Sequence, residues 1–206
     1  MKISRLQFIT DNPTHAEQAC KGGVDWIQLR VKNKSEDEWK LIAEETKAVC
    51  KKYGAKLIVN DSVKLAKMID ADGVHLGKED MPPDEARSIL DDEFIIGGTA
   101  NTFEDLERLA LLKVNYAGLG PFRFTHTKKN LSPVLGLDGY VELMKQCVES
   151  NIELPVVAIG GIKLQDVEDV LATGVYGIAV SSGIAESGDV VAMAEAFMRK
   201  IKNVLV

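Results

Sequence analysis

The chain has no apolar run long enough to cross a bilayer, no cysteines at metal-ligand spacing and no excess of positive charge. Each absence excludes a class of function. A membrane-spanning helix needs about 20 consecutive apolar residues. The first apolar stretch, in MKISRLQFITDN, is very short and is followed by Asp11. It lacks the apolar h-region expected of a secretory leader, and the cytoplasm is the expected location. The three cysteines, Cys20, Cys50 and Cys147, are odd in number and far apart. They are expected to be buried reduced thiols rather than a disulfide frame or a zinc site. A net charge of −6 argues against nucleic acid or an anionic membrane as partner. An anionic ligand would have to be held by local cations against the global field. There is no Ser-His-Asp order, no P-loop and no dinucleotide fingerprint with its acidic partner. Linkers, low-complexity segments and signs of a second domain are absent too.

What is present is ordinary globular material: 206 residues, 46% hydrophobic and 27% charged, enough for one domain with a full core. Short apolar runs alternate with longer amphipathic ones. Strands are expected at 3–10, 24–30, 55–60, 72–77, 94–99, 114–120, 154–161 and 176–183. Helices are expected at 13–22, 35–54, 62–69, 83–90, 102–112, 137–150, 163–173 and 189–204. Ser35 is placed to cap the second helix, Gly54 to end it and Pro83 to open the fourth. The strands are nearly continuous apolar runs, as strands covered on both faces are. Eight strand–helix pairs in one chain predict a single-domain (β/α)8 TIM barrel over 1–206 rather than an open sheet.

In such a barrel the chemistry sits where strands end. The residues there are polar or small: Thr10-Asp11, Gln28, Arg30 and Lys32, Asn60-Asp61, His75 and Asp80, Thr99, the Thr125–Lys128 cluster, Gly160-Gly161 and Ser181-Ser182-Gly183. Gln28, Arg30 and Lys32 alternate, so an extended chain turns all three to one face. Arginine offers a forked pair of donors to phosphate oxygens and lysine a point charge. Asp61 or Ser62 fits a helix cap, and Asp80 a turn, when each is taken alone. Together the two carboxylates beside cations are what a magnesium diphosphate needs; thiols and histidines, which zinc prefers, are missing from the set. AIGGI and VSSGI follow the last two strands, where glycines let backbone amides approach a phosphate. His75, inside DGVHLG, reads equally as a satisfied core residue or as part of the site.

The segments LQFITD, GGVDWIQLRVK, LIVND, ADGVHLGKED, GLGPFRFTHTKK, PVVAIGGI and GIAVSSGI occur in this order over nearly the whole chain. Together they resemble the thiamin phosphate synthase family. The resemblance implies a (β/α)8 barrel that joins hydroxymethylpyrimidine diphosphate to thiazole ethyl phosphate and releases pyrophosphate. It places the pyrimidine diphosphate along Gln28, Leu29, Arg30, Val31 and Lys32, with Asn60, Thr99 and Lys128. Asp61 and Asp80 correspond to Mg²⁺ ligands, one ion per subunit being expected. Thr125, His126, Thr127, Gly161, Ser181 and Ser182 correspond to the thiazole phosphate site. Arg30, Lys32 and Lys128 are the residues expected to offset charge on the leaving pyrophosphate. The carboxylated thiazole phosphate is left open as a substrate.

Several positions depart from the family pattern. Arg123 and Phe124 stand where an aromatic and a proline are usual, Asn101 where histidine is common, Gln7 where tyrosine is frequent and Thr99 where serine is. Two other readings stay open. A thiazole tautomerase would share the fold and the thiazole phosphate pocket but has little use for the diphosphate and metal residues together. A non-catalytic phosphate-ligand sensor would need only one anion site. Small phosphorylated molecules are the expected partners, and apolar outer helix faces allow a homo-oligomer.

Overall fold

The computed structural model describes residues 3–124 and 133–204. Its strands are β1 (Leu6–Thr10), β2 (Trp26–Leu29), β3 (Lys56–Asn60), β4 (Gly73–Leu76), β5 (Ile95–Ala100), β6 (Tyr116–Leu119), β7 (Val156–Ile159) and β8 (Gly177–Val180). Each pairs in parallel with the next, and β8 closes on β1, so all eight form a closed barrel in sequence order. The helices are α1 (Pro13–Lys21), α2 (Glu36–Tyr53), α3 (Val63–Met68), α4 (Pro83–Ile89), α5 (Phe103–Leu111), α6 (Gly136–Glu149), α7 (Val167–Ala172), α8 (Ser182–Ala185) and α9 (Val190–Val204). The expected (β/α)8 barrel is therefore the fold. Among the described residues no helix is long and apolar enough to cross a membrane.

The caps fix where strands stop and helices begin. Ser35 and Glu38 form a reciprocal capping box on α2, and Gly54 ends that helix in the left-handed region at φ 68°. Thr102 and Asp105 make the same box on α5. The Ser62 hydroxyl accepts from the Leu65 amide at the start of α3, so Ser62 and not Asp61 is the cap.

The β7 and β8 ends differ from the sequence pattern. β7 stops at Ile159 rather than at 161, because Gly160 and Gly161 turn to φ 101° and 71°. Those values are cheap only for glycine. β8 stops at Val180 rather than at 183, and the short α8 takes up the end of the expected strand and the start of the loop, where polar SSGIAESGD gives no periodicity to reveal it. A single 3-10 turn, Leu164–Asp166, precedes α7.

Strand alternation divides the core in two. Residues such as Phe8, Ile27, Leu29, Leu57, Val59, Val74 and Leu119 face the helices. Ile9, Trp26, Ile58, Ile95, Tyr116, Val157 and Ala179 fill the barrel interior. Trp26 meets Tyr116 edge-on, with ring centroids 4.9 Å apart. Burying each large side chain stabilises the fold by about 1.5–3 kcal/mol. All three cysteines are buried and free, and burial pushes the Cys20 thiol up to about 11.

Candidate active site

The interior is filled with apolar side chains on one side and turns polar toward the C-terminal ends of the strands, where a cavity of about 580 Å³ opens. The change comes from successive inward positions of the same strands. On β1 the inward-facing Gln7 and Ile9 alternate with Phe8. On β2 Trp26 is followed two residues on by Gln28, and the Arg30 amide still donates to the Thr10 carbonyl at 2.9 Å. That bond keeps the chain extended past β2 and carries Gln28, Arg30 and Lys32 together into the cavity. On β3 the apolar Ile58 gives way to Asn60, which pairs in register with His75 of β4.

The electrostatics are local. Burial lowers the basicity of the Arg30 guanidinium, and the Asp61 carboxylate opposes that change. Asp61 sits at φ 67°, a left-handed conformation that aspartate tolerates better than most residues. Its amide donates to the His75 carbonyl at 2.8 Å. Ser62 caps α3, and Asp61 lines the cavity. Asp80 folds back so that its Oδ2 accepts from the Gly77 amide at 2.6 Å, and it lines the same cavity. The turn hydrogen bond therefore does not take Asp80 out of the cavity.

The opposite wall is made mainly of backbone and small side chains: Gly160, Gly161, Ser181, Ser182 and Gly183. A β-carbon on Gly160 would lie 2.7 Å from Pro121 Cβ, so the close approach of the two loops depends on glycine. The first amides of a helix have no acceptor within it, and α8 begins here.

Of the residues expected from the sequence, Gln28, Arg30, Lys32, Asn60, Asp61, Asp80, Thr99, Gly161, Ser181 and Ser182 all line this one cavity. Leu29 and Val31 do not. Leu29 is fully buried on the outer face of β2, and Val31 packs against the same outer core, because neighbours on an extended chain point opposite ways. Thr125, His126, Thr127 and Lys128 lie outside the described residues.

Two departures from the family pattern have structural roles. The Asn101 side chain donates to the Gly120 carbonyl, tying the end of β5 to the end of β6. Arg123 donates to the Gly161 carbonyl at 2.7 Å and makes two bonds, of 2.8 and 3.0 Å, to the Asp166 carboxylate. Its charge holds the loop after β6 against the loop after β7, and it does not line the cavity. His75, open between two readings in the sequence, lines the cavity, as do Asn101 and two residues with no expected role, Lys78 and Glu79. His75 was detectable in principle: it sits between the outward-facing Val74 and Leu76 and so must face inward.

Residues 4–184 match the model of the thiamine monophosphate synthase family. The chain belongs to this family. It is 52% identical over 187 residues to a thiamine-phosphate synthase of Flavobacterium johnsoniae, covering 91% of this chain and 88% of that one. It is 40% identical over 189 residues to thiamine-phosphate synthase 1 of Aquifex aeolicus, covering 92% and 85%. Its fold superposes on a thiamine phosphate pyrophosphorylase from Pyrococcus furiosus with a TM-score of 0.87 and 33% identity, covering 98% and 97%. Membership in the thiamine monophosphate synthase family accounts for so many dispersed polar positions meeting at one barrel mouth.

Proposed function

We propose that the protein is a thiamine-phosphate synthase, a transferase that moves a pyrimidinylmethyl group from hydroxymethylpyrimidine diphosphate to thiazole ethyl phosphate. One observation carries this reading. Three cations, three carboxylates and a glycine-serine wall share a single cavity. A tautomerase or a one-ligand sensor has no use for both walls.

Gln28 and Asn60 are neutral amides, suited to orienting the pyrimidine and its diphosphate. Arg30 and Lys32 face the diphosphate, with Lys128 as the third expected cation. As the methylene carbon–oxygen bond breaks, its electron pair goes to the leaving pyrophosphate, and these cations offset the charge that accumulates there. The lone pair of the thiazole nitrogen then forms the new carbon–nitrogen bond. No protein nucleophile is needed. Gly161, Ser181 and Ser182, with Thr125, His126 and Thr127, are assigned to the thiazole phosphate, fixing the nitrogen near the methylene carbon.

Asp61 and Asp80 are the residues that would hold Mg²⁺. Both are hard oxygen donors at one cavity, and among the described residues no cluster of three or more His, Cys, Asp or Glu exists that could hold a metal alone. That fits an ion bound by one or two carboxylates and completed by substrate phosphate and water. When bound, the ion supplies further neutralisation of the diphosphate.

The test is a coupling assay with both substrates and Mg²⁺, the product being oxidised and read by fluorescence. Thiamine phosphate should form with Mg²⁺ and vanish with chelator. No product from folded protein would sink the synthase reading and favour the tautomerase.

A further inference from the structure

At the floor of the cavity an unbroken line of side-chain hydrogen bonds crosses the barrel. Gln28 Nε2 donates to Gln7 Oε1 at 2.9 Å, and Gln7 Nε2 donates to the Tyr116 hydroxyl at 3.1 Å. That hydroxyl lies 3.1 Å from His75 Nδ1, and His75 Nε2 lies 3.1 Å from Thr99 Oγ1. Gln7, Gln28 and His75 are buried at 1%, 2% and 7% exposure, and Tyr116 at 0%. Polar groups this deep are tolerated only when each is partnered. Room for the two rings is made by missing side chains. A β-carbon at Gly97 would lie 2.2 Å from Tyr116 Cζ, and one at Gly118 would lie 3.1 Å from His75 Cε1.

The line has a direction. Gln7 uses its oxygen to accept from Gln28, which leaves its nitrogen to face Tyr116, so the phenol oxygen accepts there. Burial pushes the Tyr116 phenol well above its ordinary value, so it keeps its own proton. The acceptor within reach of that proton is His75 Nδ1. In the neutral imidazole the proton would then be on Nε2 and would be donated to Thr99 Oγ1. With its oxygen accepting from below, Thr99 would have its hydroxyl hydrogen to offer to the cavity it lines.

We propose that Gln7, which does not line the cavity, is a positioning residue: it sets the direction of this line and so makes Thr99 a hydrogen-bond donor to the pyrimidine diphosphate. The identity of that acceptor rests on the synthase reading; the direction of the line does not. Gln28 bonds the phenol as well, and Gln7 holds that amide through its own oxygen; turning the Gln7 amide over would therefore disturb both donors to the phenol and favour the reversed line, with Thr99 an acceptor facing an anion.

The direction can be measured without substrate. In protein labelled with ¹⁵N at histidine, at about pH 8 where imidazole is neutral, His75 should appear as a single Nε2–H tautomer. Its signals are assigned by their loss in His75→Gln. An Nδ1–H tautomer in the unaltered protein would overturn the proposal outright. Gln7→Leu and the near-isosteric Tyr116→Phe should each give mixed tautomers. Persistence of pure Nε2–H in both would show that Gln7 sets nothing. In the coupling assay Gln7→Leu should raise KM for the pyrimidine diphosphate about tenfold, the loss of one buried hydrogen bond, with KM for the thiazole phosphate unchanged. Equal rises for both substrates would reduce Gln7 to a purely structural role. Should the protein make no thiamine phosphate at all, the synthase reading fails while the tautomer still decides the direction.

Discussion

The two walls of the cavity are built differently. The β2–β3 wall presents side chains: Gln28, Arg30, Lys32, Asn60 and Asp61. The β7–β8 wall presents backbone, at Gly160, Gly161 and the start of α8, with short serine side chains. An anion bound at the first wall would be held by charge, and one at the second by dipoles and close approach. Charge is removed by one substitution. A backbone surface is damaged only by changing its shape. The walls should therefore fail in different ways.

The largest expected effect is at the charged wall. Asp61→Asn keeps a residue type that tolerates φ 67° and leaves the Ser62 cap in place. The barrel should stay folded by circular dichroism while kcat falls about 100-fold, the scale of losing one electrostatic contributor to a transition state. Unchanged kcat would remove Asp61 from the metal site.

The next effect tests the backbone wall. Gly160→Ala forces a β-carbon into a φ of 101° and to 2.7 Å from Pro121 Cβ. A cost of about 1–2 kcal/mol should lower Tm by about 5 °C. KM for the thiazole phosphate should rise and KM for the diphosphate should not. Equal rises would show that the walls are not separable.

A smaller effect lies behind that wall. Arg123 and Asp166 form a two-bond ion pair, but the Arg123 side chain is 42% exposed, so solvent screens it. A double-mutant cycle on Arg123→Phe and Asp166→Ala should give a coupling of about 1 kcal/mol or less, with kcat barely changed. A large loss of kcat in Arg123→Phe would mean that this guanidinium reaches the substrate after all. The Arg123 hydrogen bond holds the Asp166 carboxyl below its usual range. Its folded value being depressed, its stabilisation is present above the unfolded value of about 4 and is lost as pH falls from there through the lower folded value. Chemical denaturation at about pH 7 and pH 3 should show a smaller coupling at the second than at the first.

The smallest effect is expected for Ser182→Ala, about threefold in KM for the thiazole phosphate. The backbone amides of the wall remain. A loss of 100-fold would mean that the serine hydroxyl, not the backbone, does the binding.

The difference between the walls also governs what could be read from the residues alone. Gln28, Arg30 and Lys32 were legible because a strand has a period of two, and a polar residue at every second place of an apolar run must share a face. Asn60 and Asp61 were legible because they end an apolar run. The AIGGI glycines announced a turn, but α8 was missed, since four residues carry no helical period. Leu29 and Val31 fell within the same segment, yet alternation sends their side chains to the outer core.

By itself the sequence determined the alternation of strands and helices, the barrel that alternation closes into, most caps and the polar vocabulary of the strand ends. These are local properties: a cap needs three or four neighbours, and a strand pattern needs five or six. Which residues meet across the barrel was decided only by tertiary structure. Gln7 and Tyr116 are 109 positions apart, and Arg123 and Asp166 are 43 apart. Nothing local requires either pair. Barrel closure brings β1 and β6 within reach of one another across a shared interior, and there an unpaired polar group is costly enough that each must find the other.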